Sequence, residues 1–177
     1  MPSKLQRVLA FDPGFERLGV AVVEKTHSTS FDRTQDKSLG ASNRREILLY
    51  SACIRTDAKI AFAQRLLILG KEVEVLIKKW KPDAMALEDL YFAKNAKTAM
   101  KVAEVRGMLV YLAATRGLAL FEYTPLQVKV AVTGWGHSDK RAVAVMIPRL
   151  IALPKRVRLD DELDAIAVGL TCLACEA

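Results

Sequence analysis

The sequence has few cysteines, no long apolar run and fewer acidic than basic residues. No stretch of about 18 consecutive apolar residues is present, and the N-terminal apolar segment is too short for a signal peptide, so we expect neither a membrane span nor export. The three cysteines among the 177 residues cannot all pair within one chain, so they do not predict a disulfide framework. We therefore expect a cytoplasmic protein with no membrane partner.

The shortage of acids gives the chain a strong positive charge. Lys and Arg number 27 against 20 Asp and Glu, for a formal net charge of +7 and a pI of about 9.4. This balance favours a polyanionic partner, either nucleic acid or an anionic membrane surface. Because no segment of the sequence supports membrane binding, we expect nucleic acid. With 51% hydrophobic residues, a chain of this length can bury one sizeable core, so residues 1–177 are predicted to form a single domain.

Strand and helix patterns alternate along most of the chain. Two strands joined by the turn "DPGFER" open it, a long polar loop follows at about 25–46, and a third strand comes next. Helices and strands then alternate, which predicts an α/β fold with a central mixed five-stranded sheet flanked by helices. The predicted strands cover 7–11, 18–24, 47–56, 83–88 and 118–123, and the predicted helices cover 59–80, 95–115, 125–132, 138–152 and 160–175.

Four acids lie where these elements begin or end. Asp12 ends the first strand, Glu88 ends a later one, and Asp161 and Asp164 open the last helix. Strand ends of open α/β sheets commonly border a site, and clustered carboxylates favour Mg²⁺ or Mn²⁺ because these cations prefer oxygen ligands. Acids in a first helical turn also simply complement the helix dipole, so pattern alone leaves both interpretations of Asp161 open. Asp164 lies in an apolar run, where an unpaired charge is costly.

Four segments carry a family resemblance. "LAFDPGFERLGVAVVE", "ALEDLYFAKNAKTAMKVAEVRGML", "YTPLQVKVAVTGWGHSDKRAVAVM" and "LDDELDAIAVGL" occur in the order found in RuvC, so the chain resembles the RuvC family of Holliday junction resolvases. This resemblance implies a ribonuclease H-like fold and a homodimer that cuts two opposed strands of a four-way DNA junction. It also implies that the catalytic, metal-binding residues are Asp12, Glu88, Asp161 and Asp164, with two Mg²⁺ per subunit, Mn²⁺ as a substitute, and the RuvA–RuvB branch-migration complex as a partner.

The resemblance further implies a set of DNA contacts. An aromatic from a loop after Glu88 is expected to insert among bases near the crossover, and lysines are expected to contact phosphate. The predicted DNA-binding residues are Tyr91, Phe92, Lys94, Lys129, Lys140 and Arg141. The alternatives are core packing for the aromatics and an ordinary solvated face for the basic residues.

Other features depart from the family or lack an assigned role. The loop at 25–46 is longer than the usual hairpin connection in RuvC, and Pro148 is expected to kink or shorten its helix. His137, near the predicted DNA face, has no partner that the sequence identifies. A dimer is expected to use a stripe of small and apolar residues on the helix 96–115, unless that stripe faces the protein's own sheet. The stripe comprises Ala99, Met100, Ala103, Gly107 and Val110.

Three other functional classes were compared with a resolvase. Another ribonuclease H-like nuclease, such as one that processes pre-ribosomal RNA, shares the aspartate–glycine start and the acidic clusters. An actin-like kinase or ATPase needs two related lobes, for which the chain is too short. A catalytically silent junction-binding protein is disfavoured by the presence of all four acids.

Overall fold

Five strands form one mixed sheet in the computed structural model, which describes residues 5–27, 44–89, 96–154, 156 and 158–177. The antiparallel β1, β2 and β3 occupy one side of the sheet, while β4 and β5 run parallel to β1. The sheet order is β3-β2-β1-β4-β5, as expected for the predicted mixed sheet. The strands are β1 (Arg7–Asp12), β2 (Arg17–His27), β3 (Arg44–Arg55), β4 (Ala84–Glu88) and β5 (Ala119–Tyr123).

Helices cover both faces of this sheet. They are α1 (Phe62–Trp80), α2 (Ala96–Thr115), α3 (Pro125–Thr133), α4 (Lys140–Leu150) and α5 (Asp160–Glu176). Alternate β1 residues point to opposite faces, so Leu9 and Phe11 pack with α1 and α2, whereas Val8 and Ala10 pack with α3, α4 and α5. The four central residues of β1, 8–11, are therefore all apolar, because both faces of the strand are buried there. Among the described residues, no helix is long and apolar enough to cross a bilayer.

The ends of the predicted polar loop at 25–46 are strand rather than loop. Lys25 pairs with Glu46, and the ladder continues to His27 and Arg44. The Lys25 ammonium also donates to the Leu173 carbonyl at 3.2 Å, which ties the end of β2 to α5. Backbone pairing and this tertiary contact outweigh the polar composition from which the loop was predicted. The central part, residues 28–43, lies outside the described residues.

Side-chain caps fix the starts of the two short helices next to the site. Thr124 and Gln127 form a capping box at the start of α3, with Pro125 as its first residue. Asp139 caps α4 by accepting the backbone N–H of Ala142 at 2.7 Å. The predicted start at Ser138 is thus wrong by two residues, since the aspartate that follows it is the cap.

Candidate active site

Asp12 lies at the carboxyl end of β1, in the middle of the sheet. It pairs with Gly19 of β2, and its strand runs parallel to β4, which ends at Glu88. Burial, reinforced by the negative charges of Glu88, Asp164 and Asp161, raises the pKa of the Asp12 carboxyl to about 8, although the Lys140 ammonium opposes the shift. Asp12 is therefore a largely buried carboxyl within reach of three other acids.

Gly19 allows the last helix to approach Asp12. A Cβ at this position would lie 2.0 Å from the Asp161 carbonyl oxygen and 3.2 Å from the Asp12 Cβ. No side chain fits between β2 and the first turn of α5, so the glycine sets how closely Asp161 approaches the sheet. β1, β2 and α5 thus meet at this one position.

Glu88 and Asp164 line a cavity beside Asp12. The cavity has a volume of about 300 Å³, and two basic residues, Lys129 and Lys140, also line it. Lys140 Nζ lies 2.8 Å from Asp164 Oδ2. Burial raises the pKa of Asp164 despite this ion pair, because the charges of Asp160 and Asp161 add to the effect of burial.

The electrostatics of Glu88 and Lys140 follow from the same crowding. Burial and the charge of Asp164 raise the pKa of Glu88, against the opposing effect of Lys140, of a hydrogen bond with Asp12 and of Lys129. Burial acts to lower the pKa of Lys140, but its hydrogen bond and ion pair with Asp164 outweigh burial and raise it. The site holds more negative than positive charge, and Lys140 supplies part of the missing counter-charge.

The donor set fits a hard divalent cation in its chemistry. Asp12, Glu88, Asp161 and Asp164 offer only carboxylate oxygens, which suit Mg²⁺ or Mn²⁺ better than zinc. Burial, followed by the charges of neighbouring acids, raises the pKa values of Asp12, Glu88 and Asp164, and a bound cation would oppose both effects. Within the described ranges, however, no three Asp, Glu, His or Cys side chains are already arranged to enclose an ion. The four acids lie near one another, but their oxygens do not converge on one point, and the Asp164 carboxylate faces Lys140 instead.

The predicted DNA-binding residues fall into two groups. Lys129 on α3 and Lys140 on α4 line the cavity, and Arg141 lines an adjoining depression with Asp160 and Asp164. The other three predicted contacts lie outside the described residues: Tyr91, Phe92 and Lys94.

Residues that the sequence analysis did not single out also contact the site. Arg17 Nη1 lies 3.9 Å from Asp161 Oδ2, and Cys53 Sγ lies 3.8 Å from the same oxygen. Arg156 pairs with the buried Glu162 at 2.6 Å and donates to the Ser51 carbonyl, which ties the first turn of α5 to β3. Arg17, Cys53 and Asp161 are far apart in sequence and come together only through the pairing of β2 with β3 and the packing of α5. No local sequence pattern therefore identified Arg17 or Cys53.

Comparison with known proteins decides among the classes considered. A family model described as crossover junction endodeoxyribonuclease RuvC matches residues 8–172. The chain is 40% identical over 163 residues to the crossover junction endodeoxyribonuclease RuvC of Ruminiclostridium cellulolyticum, covering 92% of this chain and 89% of that one. It is 38% identical over 170 residues to RuvC of Thermosipho melanesiensis, covering 96% and 98%. The chain belongs to the RuvC family.

A solved structure supports the same assignment. RuvC from Thermus thermophilus in complex with Holliday junction substrate superposes with a TM-score of 0.79 at 26% identity, covering 94% of this chain and 92% of that one. The predicted family and its ribonuclease H-like fold, with a mixed five-stranded sheet flanked by helices, are confirmed. RuvC enzymes are divalent-metal endonucleases.

Proposed function

We propose that the chain is a single nuclease domain over residues 1–177 that resolves four-way (Holliday) DNA junctions by hydrolysing phosphodiester bonds in two opposed strands. One observation carries the proposal: four acids from β1, β4 and α5 interact electrostatically at the carboxyl ends of β1 and β4, beside Lys129 and Lys140, in a chain that matches RuvC over residues 8–172. Such an enzyme would act in recombination and repair of DNA in the cytoplasm.

Asp12, Glu88, Asp161 and Asp164 are the proposed metal ligands. Their oxygen donors suit Mg²⁺, with two ions per subunit and Mn²⁺ as a substitute. When bound, such ions activate water for attack and stabilise the charge on the leaving oxygen. The environment of Asp12 supports this assignment, because burial and the charges of three neighbouring acids raise the pKa of its carboxyl, and bound cations would offset both.

The lysines have a proposed role on the substrate side of the cavity. Lys129 and Lys140 line the space that also contains Glu88 and Asp164, so a phosphate held by their ammonium groups would lie next to the carboxylates. During hydrolysis a water oxygen bonds to phosphorus, one phosphorus–oxygen ester bond breaks, and the leaving oxygen takes up a proton. Fixed ammonium groups beside that phosphate would stabilise its developing charge. Arg141, Lys94, Tyr91 and Phe92 complete the proposed DNA-binding set.

A homodimer is the proposed working form, with α2 at its interface. On one face of α2, Val105, Leu109 and Leu112 are buried in the protein's own core. The opposite face of α2 does not pack in this core. That face carries exposed Met100 and Tyr111, each 67% exposed, with Ala103 and Gly107 between them. Ala99 and Val110 are only partly buried. An exposed apolar face with small residues at its centre suits close packing of a second helix.

The proposed partners include the RuvA–RuvB branch-migration complex, which the family membership suggests. Co-sedimentation of the chain with RuvA–RuvB assembled on a four-way junction is the direct measurement. A chain that sediments equally with the naked junction and with the assembled complex would contradict this part of the proposal.

Cleavage of synthetic substrates tests the function. The purified chain with Mg²⁺ should cut a mobile four-way junction at symmetric positions in two opposed strands, leaving nicked duplexes that ligase can seal. Linear duplex of the same sequence and structured RNA serve as matched controls. Preferential cutting of RNA would favour the ribosomal-RNA alternative, and junction binding without metal-dependent cutting would favour a silent binding protein.

A further inference from the structure

The loop between α3 and α4 holds an aromatic side chain out to solvent. Trp135 is 65% exposed, and its ring centroid lies 5.5 Å from that of His137. An indole is costly to leave in water, and no role assigned so far uses this side chain. Both residues belong to the loop of residues 134–139, which we term the indole loop.

The indole loop is fixed by its own hydrogen bonds. Thr133 Oγ1 lies 2.7 Å from the Lys129 carbonyl, 3.0 Å from the Trp135 carbonyl and 2.7 Å from Ser138 Oγ. It also accepts the Trp135 N–H at 3.2 Å. A loop bonded in this way presents its exposed ring in a defined position, so little conformational entropy is lost when a ligand stacks on it.

Close packing against α3 holds the loop down as well. A Cβ on Gly136 would lie 2.5 Å from Leu126 Cδ1 and 3.2 Å from Val130 Cγ2. Leu126 and Val130 are themselves 55% and 49% exposed. Because residue 136 has no side chain, the loop packs closely on the exposed Leu126 and Val130. These two side chains form an apolar ridge on α3, and Trp135 lies next to Gly136 in the chain.

This ridge adjoins the cavity that contains the acids. The indole loop joins the helix carrying Lys129 to the helix that begins with Lys140, and both lysines line the cavity. Trp135 is five residues from Lys140 in sequence, at most about 17 Å of extended chain. About five stacked nucleotides of one strand span that distance.

We propose that Trp135 is a nucleobase-stacking residue, which holds an unstacked base of the strand whose phosphates contact Lys129 and Lys140. The inference rests on the proposed function, since it takes the nucleic acid as the ligand of the adjoining cavity. The charge near the loop supports this occupant. Lys129 lies six residues before Trp135, Lys140 and Arg141 lie five and six residues after it, and the two lysines line the cavity. Basic residues combined with an exposed aromatic are the usual features of a single-strand contact. His137 is in ring contact with the indole, at 5.5 Å between centroids.

Substitution at Trp135 tests the role through binding measured without divalent metal, so that no cutting occurs. Trp135→Ala should weaken binding of a four-way junction by about 10-fold or more, as expected for the loss of a base–aromatic stack, whereas Trp135→Phe should retain most of the affinity. Leu67→Ala is the matched control, because Leu67 is similarly exposed, at 57%, on α1 at the opposite face of the sheet. Equal affinities for wild type and Trp135→Ala would overturn the proposal.

Fluorescence gives a second readout that a merely structural role would not move. The chain has two tryptophans, so Trp80→Phe leaves Trp135 as the only indole. Junction DNA should quench the emission of this variant, and quenching should be much weaker with a fully paired linear duplex. Unchanged emission in the presence of bound junction would overturn stacking.

Failure of the two proposals can be told apart. A wild-type chain that neither binds nor cuts the junction would overturn both the proposed function and the stacking inference. A wild-type chain that does both, accompanied by a Trp135→Ala variant with equal affinity and cutting, would overturn the inference alone. The ridge would then be better explained as a contact surface for another protein.

Discussion

At the scale of single residues, the acids of the site destabilise one another. Asp12 is buried among Glu88, Asp161 and Asp164, and its pKa is raised to about 8. Such crowding of buried acids costs folding free energy in the absence of a cation, so a bound ligand explains the cluster better than a contribution to stability does. The ion pair between Lys140 and Asp164 relieves only part of the repulsion.

Neutralising the acids should therefore lower junction cleavage without lowering the stability of the fold. We expect Asp12→Asn, Glu88→Gln, Asp161→Asn or Asp164→Asn to lower junction cleavage by about 100-fold or more, the effect of losing roughly 3 kcal/mol of transition-state stabilisation. Junction binding should persist, because removing a negative charge near DNA reduces the repulsion of its phosphates. Asp12→Asn should also raise the thermal unfolding midpoint without metal.

Asp160→Asn provides the control for these variants. Asp160 begins α5 beside Asp161 but is exposed, so its loss should leave cleavage close to wild type. Unchanged cleavage by Asp164→Asn would refute the assignment of that residue as a ligand.

The two lysines of the cavity should act through phosphate. Lys129→Ala or Lys140→Ala should weaken junction binding for all sequences and should reduce the slope of log affinity against log salt by about 0.9 for each phosphate that is no longer neutralised. Lys71→Ala on α1 is a suitable control, since this lysine is exposed at the opposite face of the sheet. Salt titrations that give one slope for all three variants would assign the cavity lysines to an ordinary solvated surface.

Substitution of Gly19 tests whether the close approach of α5 to β2 positions Asp161. A methyl group there would lie 2.0 Å from the Asp161 carbonyl, so Gly19→Ala should force α5 away from β1, destabilise the fold by about 1–3 kcal/mol and reduce cleavage. The control is Gly70→Ala, where the nearest atom is the flexible Met108 side chain at 3.4 Å. Wild-type urea unfolding and cleavage in Gly19→Ala would show that the helix start does not depend on this contact.

At the scale of elements, much of the fold could be predicted because it depends on local patterns. In the described part of the chain, hydrophobic period and turn residues placed all five strands and five helices. The parallel strands β1 and β4 end side by side, which explains why Asp12 and Glu88 were expected together. The approach of Asp161 was not predictable in detail, since it depends on a register across β1, β2 and β3 that includes an irregularity between Val22 and Val23. The Lys140–Asp164 ion pair depends on how α4 packs beside α5, which sequence spacing does not encode.

Pro148 lies inside α4 and disturbs the helix less than expected. Pro148 was expected to kink or shorten its helix, and α4 does end at Leu150, two residues later. The final turn still closes, because the N–H of Ile151 donates to the Ile147 carbonyl at 3.0 Å. The helix therefore continues for part of a turn beyond the proline, although the proline removes its own hydrogen bond.

Replacing this proline should stabilise the protein. Pro148→Ala restores a backbone N–H donor inside α4 and should raise the free energy of unfolding, by up to about 3 kcal/mol if the full interior cost of proline applies. Pro148 is exposed, so the substitution removes little packing, and Val145→Ala at a nearby exposed position controls for a change of side chain. A lower stability for Pro148→Ala in urea unfolding would mean that the ring holds the end of α4 in place.

At the scale of the whole molecule, one acidic site in a domain of this size can cut only one strand at a time. A four-way junction presents two equivalent strands, so paired incision needs two sites related by a two-fold axis, and a closed two-fold dimer provides them most simply. The positive charge of the chain, +7 overall, would attract the junction, while α2 leaves an apolar face away from the α3–α5 layer that carries the cavity.

A charge at the centre of that α2 face should break the proposed dimer without unfolding the subunit. Apart from the neighbouring backbone of α2 itself, no atom of the described residues lies within 4 Å of a Cβ added to Gly107. Gly107→Glu therefore meets open space within one subunit but would place two like charges together across a two-fold interface. We expect this variant to be folded, monomeric by light scattering and able to nick single strands without paired incision.

Val145→Glu adds the same charge at a site on α4 that is 57% exposed, and it should remain dimeric. An unfolded Gly107→Glu protein would mean that this face belongs to the core, and a folded dimer would move the interface elsewhere. A wild-type chain that scatters as a monomer with and without junction would contradict paired incision itself, because a single acidic site cannot cut two opposed strands in concert.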